Sequence, residues 1–196
     1  MFLFVFCFSC VCTNTFAGYF TASNTTQTSA GVVQLDNESQ ISTFGIATAQ
    51  RANDGNTNGL FSNGSVSSTK REVQAWWQAE LVAPANISKI EIFNRTNCCL
   101  NRLSNFYVLV SSAPFGSSSL SSLLADPNVE SYHHQGIAGS SISIPVNTFG
   151  QYVRIQLNKT DYLSLAEVVV YKQNDALDKV EAEACLLYTS PSPRDS

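Results

Sequence analysis

The sequence predicts an all-β chain folded as a β-sandwich or jelly roll, on three observations. Short apolar runs recur across residues 31–172, separated by clusters of Gly, Asn, Ser and Pro. Inside these runs apolar and polar side chains alternate with period two, the mark of antiparallel strands with one buried face. No part of this stretch carries a long amphipathic helix.

The elements follow in order. The first two strands are expected at Gln78–Ala83 and Ile87–Phe93, where Ile90 and Ile92 alternate with Lys89 and Glu91. Phe106–Ser111, Ser141–Pro145 and Tyr152–Leu157 come next; in the last, Val153, Ile155 and Leu157 alternate with Arg154 and Gln156. Ala166–Tyr171 closes the set. Leu120–Leu124 is expected to make one short turn of helix. Trp76 and Trp77 straddle a strand, with one in the core. The neighbouring His133 and His134 fall in a polar loop, pointing apart or to solvent.

At 196 residues the chain is one domain, or one domain plus tails. Hydrophobic residues make up 44%, enough to fill a core and to exclude wholesale disorder. Charged residues are only 13% and the net charge is -4, so phosphates meet no attractive field and nucleic acid is an unsuitable partner. Polarity comes instead from hydroxyl and amide groups.

Phe2–Val11 is apolar but too short for a bilayer span of about 20 residues. With the small residues Thr15 and Ala17 it predicts a signal peptide over 1–17, cut after Ala17, and a secreted, extracellular product; the alternative is a buried N-terminal strand. Residues 18–30 read as a flexible lead-in. Residues 31–172 form the domain, and 173–184 a charged linker or the start of a truncated region. Residues 185–196 resemble a translated sequencing adapter, read through at the end of a contig, as against a native polar tail. Removing both ends takes away Cys7, Cys10, Cys12 and Cys185, and leaves Cys98 and Cys99.

This pair sits in Asn94-Arg95-Thr96-Asn97-Cys98-Cys99-Leu100-Asn101-Arg102-Leu103, on the loop after a predicted strand. Neighbouring Cα atoms are ~3.8 Å apart across a trans peptide, below the usual disulfide span of about 4.4–6.8 Å, so a bridge here would be strained. Bridged, the pair would offer a flat apolar disc between two arginine forks, a surface suited to a sugar ring and its hydroxyls. Unbridged, it is two surface cysteines beside two solvated arginines. Among residues 31–172 no zinc-spaced His/Cys/Asp cluster and no Gly-rich phosphate loop occurs, and nothing singles out a catalytic carboxylate pair, so no enzyme is expected.

Asp54-Gly55-Asn56-Thr57-Asn58-Gly59, Phe61–Ser65, Trp76–Leu81, Asn94–Cys99, Arg102–Phe106, Tyr152–Leu157 and Tyr162–Val168 together resemble the F-type lectin (fucolectin) family, a branch of the discoidin-like, galactose-binding jelly rolls. The resemblance runs in order from about Val32 to Tyr171. It implies a galactose-binding-like jelly roll and a fucose-type sugar site. Arg95 and Arg102 match its two basic positions, Cys98 and Cys99 its vicinal disulfide, and Phe61 a position lining the apolar pocket. Ser68 stands where the family has His, and Asn97 where it has Asp. The resemblance implies that the family His bonds an axial sugar hydroxyl, which Ser68 is too short to reach, and Asn97 offers no countercharge, so the arginine pair is expected to repel itself. The resemblance also implies a structural calcium held by Asp54, Asn56, Ser65 and Glu167, with the carbonyl of Arg51. An Asn/Gly-rich turn closed by its own Asx hydrogen bonds is the alternative.

The function expected is a secreted, non-catalytic lectin domain for glycans, fucosylated ones among them, with several copies joined for avidity. Two alternatives stand: a discoidin-like adhesion module with a degenerate sugar site, and an accessory domain of a truncated secreted glycoside hydrolase. Six Asn-x-Ser/Thr sequons occur, at Asn24, Asn37, Asn63, Asn86, Asn94 and Asn158; Asn63 and Asn94 adjoin the expected site.

Overall fold

A computed structural model describes residues 31–173. The expected signal peptide, lead-in and adapter-like tail, and the linker beyond residue 173, lie outside the described residues. The described strands are β1 (Val32–Val33), β2 (Leu35–Gln40), β3 (Ser67–Ser68), β4 (Glu72–Val73), β5 (Trp76–Asn94), β6 (Ser104–Ser111), β7 (Val129–Ile137), β8 (Ser141–Leu157), β9 (Thr160–Asp161) and β10 (Ser164–Lys172). One antiparallel sheet runs β1-β10-β5-β8-β6-β7, with β2 beside β5 and β3 beside β10; β4 and β9 make a separate ladder.

Two long strands turn this sheet into a sandwich. The sequence reading divides each of them: Gln78–Ala83 and Ile87–Phe93 are both β5, and Ser141–Pro145 and Tyr152–Leu157 are both β8. The division has a physical basis. The β5–β8 ladder loses register between Glu80 and Ala85 and again between Ile87 and Lys89, around Pro84, which has no N–H to donate. Before this break β5 pairs with β2, and after it with β10. The two halves enclose one core, in which Trp77 and Leu81 pack with Ile90, Ile92, Phe106, Val108, Val168 and Val170. Trp77 is fully buried and its Nε1–H donates to the Ala49 carbonyl at 2.9 Å, while Trp76 is half-buried, so the pair straddles the strand as expected.

Three features depart from the sequence reading. β2, with sequence LDNESQ, has no alternation to reveal it and is held by pairing with β5. His133 and His134 lie in strand β7, not in a loop, and adjacent strand positions send them to opposite faces. His133 stacks on Tyr107 at 4.2 Å, and His134 packs on Phe106 at 5.2 Å. Arg154 and Gln156, whose alternation suggests a solvent face, are 3% and 0% exposed. The 112–119 loop and helix α1 (Leu120–Leu124), the one helical turn the sequence predicts, cover that face. Leu120 and Leu123 pack on Leu109 as a second core. Gln156 Nε2–H donates to the Ser118 carbonyl at 2.8 Å. Arg154 donates to Gln78 Oε1 at 3.0 and 2.6 Å and to the Ser117 carbonyl at 2.7 Å, between the rings of Trp76 and Phe115. Burial lowers its pKa to about 10, so it stays charged at neutral pH.

Candidate functional site

The loop that follows β5 is shaped by three local devices. Asn94, 2% exposed, donates its side-chain amide to the carbonyls of Leu100 at 3.1 Å and Gly139 at 2.9 Å, tying the loop to the β7–β8 turn. The same bonds occupy the nitrogen a glycan would need. Cys99 has φ +63°, a left-handed conformation that costs an L-residue about 1 kcal/mol or more and turns the chain into a short 3-10 helix ending at Arg102. Gly59 lets the neighbouring loop come close: a Cβ there would sit 2.6 Å from the Asn94 carbonyl oxygen and 2.6 Å from Thr96 Oγ1. Thr96 N–H donates to the Gly59 carbonyl at 2.8 Å across this contact, which carries Phe61 up beside Arg95.

The result is a cleft of about 290 Å³ lined by Phe44, Phe61, Ser68, Arg95, Cys98, Cys99, Arg102 and Tyr162. Every residue expected at a sugar site therefore lines one cavity. Cys98 and Cys99 are joined by a disulfide, with Cα atoms 3.8 Å apart. Each arginine lies over an aromatic ring, Arg95 4.4 Å above Phe61 and Arg102 4.4 Å above Tyr162. Phe44 stands edge-on to Tyr162 at 6.0 Å and beside Phe61 at 6.3 Å, so three rings back two guanidinium planes. Phe44 escapes the sequence reading because it lies in no alternating run, and Tyr162 is read only as the start of a motif, without a place in the site; it gets that place from the β9 to β10 turn, where the backbone is held by Thr69. A larger hollow, about 450 Å³, is lined by Val32, Val82, Pro84 and Phe149, with Gln34, Asn86 and Gln173 as polar neighbours and Lys172 its single charged residue.

The electrostatics of the cleft follow from its acids. Arg95 Nε–H donates to Asn97 Oδ1 at 2.8 Å, a neutral acceptor. Burial, and then the nearby charge of Arg102, lower the pKa of Arg95, so the expected self-repulsion of the pair is present. Arg102 has a countercharge the sequence reading missed: Asp161 Oδ1 lies 3.9 Å from its Nε, and Asp161 Oδ2 lies 3.6 Å from Lys159 Nζ. Ser68, 2% exposed, shares a hydrogen bond with Ser164 Oγ at 3.0 Å and donates to the Thr69 carbonyl at 3.2 Å. Its hydroxyl is already engaged at the cavity wall.

The second expected site lies between the 51–65 loops and β10. A run of Asx turns shapes the first: Asp54 Oδ1 accepts from Asn56 N–H at 2.9 Å, Asn56 Oδ1 from Asn58 N–H at 3.1 Å, and Asn58 Oδ1 from Leu60 N–H at 2.9 Å. Gly55, with φ +80°, donates its N–H to Glu167 Oε2 at 3.2 Å. Ser65 donates to the Asn58 carbonyl, and Arg51 sits in the preceding 3-10 turn. Glu167 is 4% exposed; burial first, and the Asp54 carboxylate second, push its pKa up to about 7. Among the described residues no basic side chain forms an ion pair with it. Two close carboxylates without a countercharge, amid amide, hydroxyl and carbonyl oxygens, fit a hard cation such as calcium. The Asx turns alone explain the loop, but not a buried carboxylate facing it.

Residues 51–155 match the family model described as a NedA-like, galactose-binding domain. A fucose binding module of Streptococcus pneumoniae is 31% identical, superposes with a TM-score of 0.61, and is covered over 94% of its length by 70% of this chain. The chain belongs to the galactose-binding-like domains, in their F-type lectin branch. Fucolectin-1 of Anguilla japonica is 32% identical to this F-type lectin domain over 124 residues, 60% of the chain and 64% of the relative. The fucolectin from striped bass (Morone saxatilis) serum is 27% identical with a TM-score of 0.59, covering 71% of this chain and 47% of its own. The match spans 60–67% of the length of the eel fucolectins, and 64% of fucolectin-1.

Proposed function

We propose that this domain is a non-catalytic lectin module that holds a glycan in the Cys98–Cys99 cleft. One observation carries the reading: two guanidinium planes, each laid on an aromatic ring, flank an apolar disulfide in a cavity the size of one or two sugar rings. The disulfide and Phe61 offer an apolar floor to the carbon face of a pyranose, and the arginines offer N–H donors to its oxygens. The fucose binding module and the fucolectins among its relatives support a fucose-type ligand.

Calcium, held by Asp54, Asn56, Ser65, Glu167 and the carbonyl of Arg51, would neutralise the buried carboxylates and lock the 51–65 loops to β10. Those loops present Phe61, so the metal would stiffen the wall of the sugar cleft. Secretion would supply both the oxidising compartment a disulfide needs and the calcium. Among the described residues no helix is long and apolar enough to cross a membrane. Several copies acting together would raise the avidity of a small site.

A glycan array, run with and without L-fucose as competitor, tests the reading. Fucosylated glycans should bind, L-fucose should compete, and Arg95→Ala should abolish the signal. No fucosylated ligand, with binding elsewhere untouched by Arg95→Ala, would point instead to an adhesion module with an idle cleft.

A further inference from the structure

The cleft is rich in hydrogen-bond donors and poor in acceptors. A guanidinium carries five N–H donors and no acceptor. Arg95 commits only its Nε–H, to Asn97 Oδ1, and Arg102 makes no side-chain hydrogen bond among the described residues. Of the side-chain oxygens in and beside the cavity, the Tyr162 hydroxyl is left for a ligand and the others are engaged. Ser68 Oγ is bonded to Ser164 and the Thr69 carbonyl, and Asn97 Oδ1 holds Arg95. A neutral sugar hydroxyl both donates and accepts, so it satisfies only half its capacity against such a wall.

The charges lean the same way. Arg102 and Lys159 share one carboxylate, Asp161, at 3.9 Å and 3.6 Å, while Arg95 faces Arg102 with only the neutral Asn97 as its acceptor. Glu72, opposite Asp161 in the β4–β9 ladder, pairs with none of these cations. The locality is positive in a chain whose net charge is -4. Phe61 and Tyr162 beneath the guanidiniums keep both planes fixed and partly dry, which strengthens a charge-assisted bond.

Resting on the sugar reading above, we propose that the preferred occupant is an acidic saccharide, a pyranose bearing a sulfate ester or a carboxylate, with its anion between Arg95 and Arg102. Such a group only accepts hydrogen bonds, matches the planar forks, and relieves the repulsion between the two arginines. The ring lies on the disulfide, and the anion, rather than an added hydroxyl, sets the selectivity.

Calorimetric titration of the full chain with matched pairs tests this: methyl α-L-fucoside against its monosulfates, and methyl β-D-galactoside against methyl β-D-galacturonide, with inorganic sulfate as a control. At low salt the acidic member of at least one pair should bind about ten-fold more tightly, and the advantage should shrink as NaCl rises toward about 0.5 M. Asn97→Asp, a near-isosteric change on the surface, should remove the advantage without moving the melting temperature, and Asp161→Asn should widen it. Equal or tighter binding of every neutral member overturns the acidic preference and leaves the sugar reading standing. Inorganic sulfate binding as well as the sugar sulfates overturns it too, by removing the ring from recognition. If no saccharide binds, neutral or acidic, the sugar reading itself fails.

Discussion

Each arginine of the cleft is placed by a residue that touches no ligand. Asn94 is the clearest case, since its buried amide closes the loop that bears Arg95 and Cys98–Cys99. Asn94→Ala would leave two backbone carbonyls without a donor, at about 1–3 kcal/mol for each group left unsatisfied. We expect urea unfolding to show a loss of about 2–4 kcal/mol, with the loop loosened; an unchanged midpoint would mean that the loop is held by other contacts. At this scale the sequence was informative about chemistry and silent about partners. The spacing of Arg95, Cys98–Cys99 and Arg102 marks the site because it lies within one loop. Phe44 and Tyr162 reach the cleft, and Asp161 reaches Arg102, from segments distant in sequence, and no local pattern announces their place there. The same distance explains why the loss of an acid at Asn97 reads as a bare arginine pair, when Asp161 lies 3.9 Å from Arg102.

Strands were legible where they alternate and invisible where pairing alone makes them. β6 (Ser104–Ser111) and β10 (Ser164–Lys172) contain the strands expected there, whereas β2 and β7 are polar strands defined by their neighbours. The covered outer face of β8 was not legible either, because a buried Arg154 and Gln156 look like solvent residues until the loop above them is seen. That loop depends on Arg154, which donates to Ser117 while lying between Trp76 and Phe115. Arg154→Ala should cost about 3 kcal/mol, as the donor bonds and both ring contacts are lost together. Proteolysis should then cut within residues 112–119 before the rest of the domain, and a variant as stable and as resistant as the parent would remove Arg154 from this role.

The whole molecule joins two close carboxylates, Asp54 and Glu167, on one side of a loop to the Cys98–Cys99 cleft on the other. Gly59 is where the two meet, close enough to Asn94 and Thr96 that no side chain fits between. If the cation binds as proposed, calcium about 100-fold above its dissociation constant adds about 2.7 kcal/mol. Chelation by EDTA should then lower the melting temperature by roughly 5 °C or more, and should weaken glycan binding. A melting temperature indifferent to both EDTA and added calcium would leave Glu167 as a buried acid without a metal, beside an Asx-turned loop. The jelly roll itself follows from two long bent strands, whose halves the sequence shows but whose continuity it hides. The central claim is narrower than the fold, that a sugar sits on the Cys98–Cys99 bridge between Arg95 and Arg102. Backbone amide NMR, recorded while the strongest array glycan is titrated in, tests it most directly. Shifts confined to residues 95–102, Phe44, Phe61, Ser68 and Tyr162 are the predicted result. Shifts centred instead on the hollow at Val32, Val82 and Phe149 would contradict it.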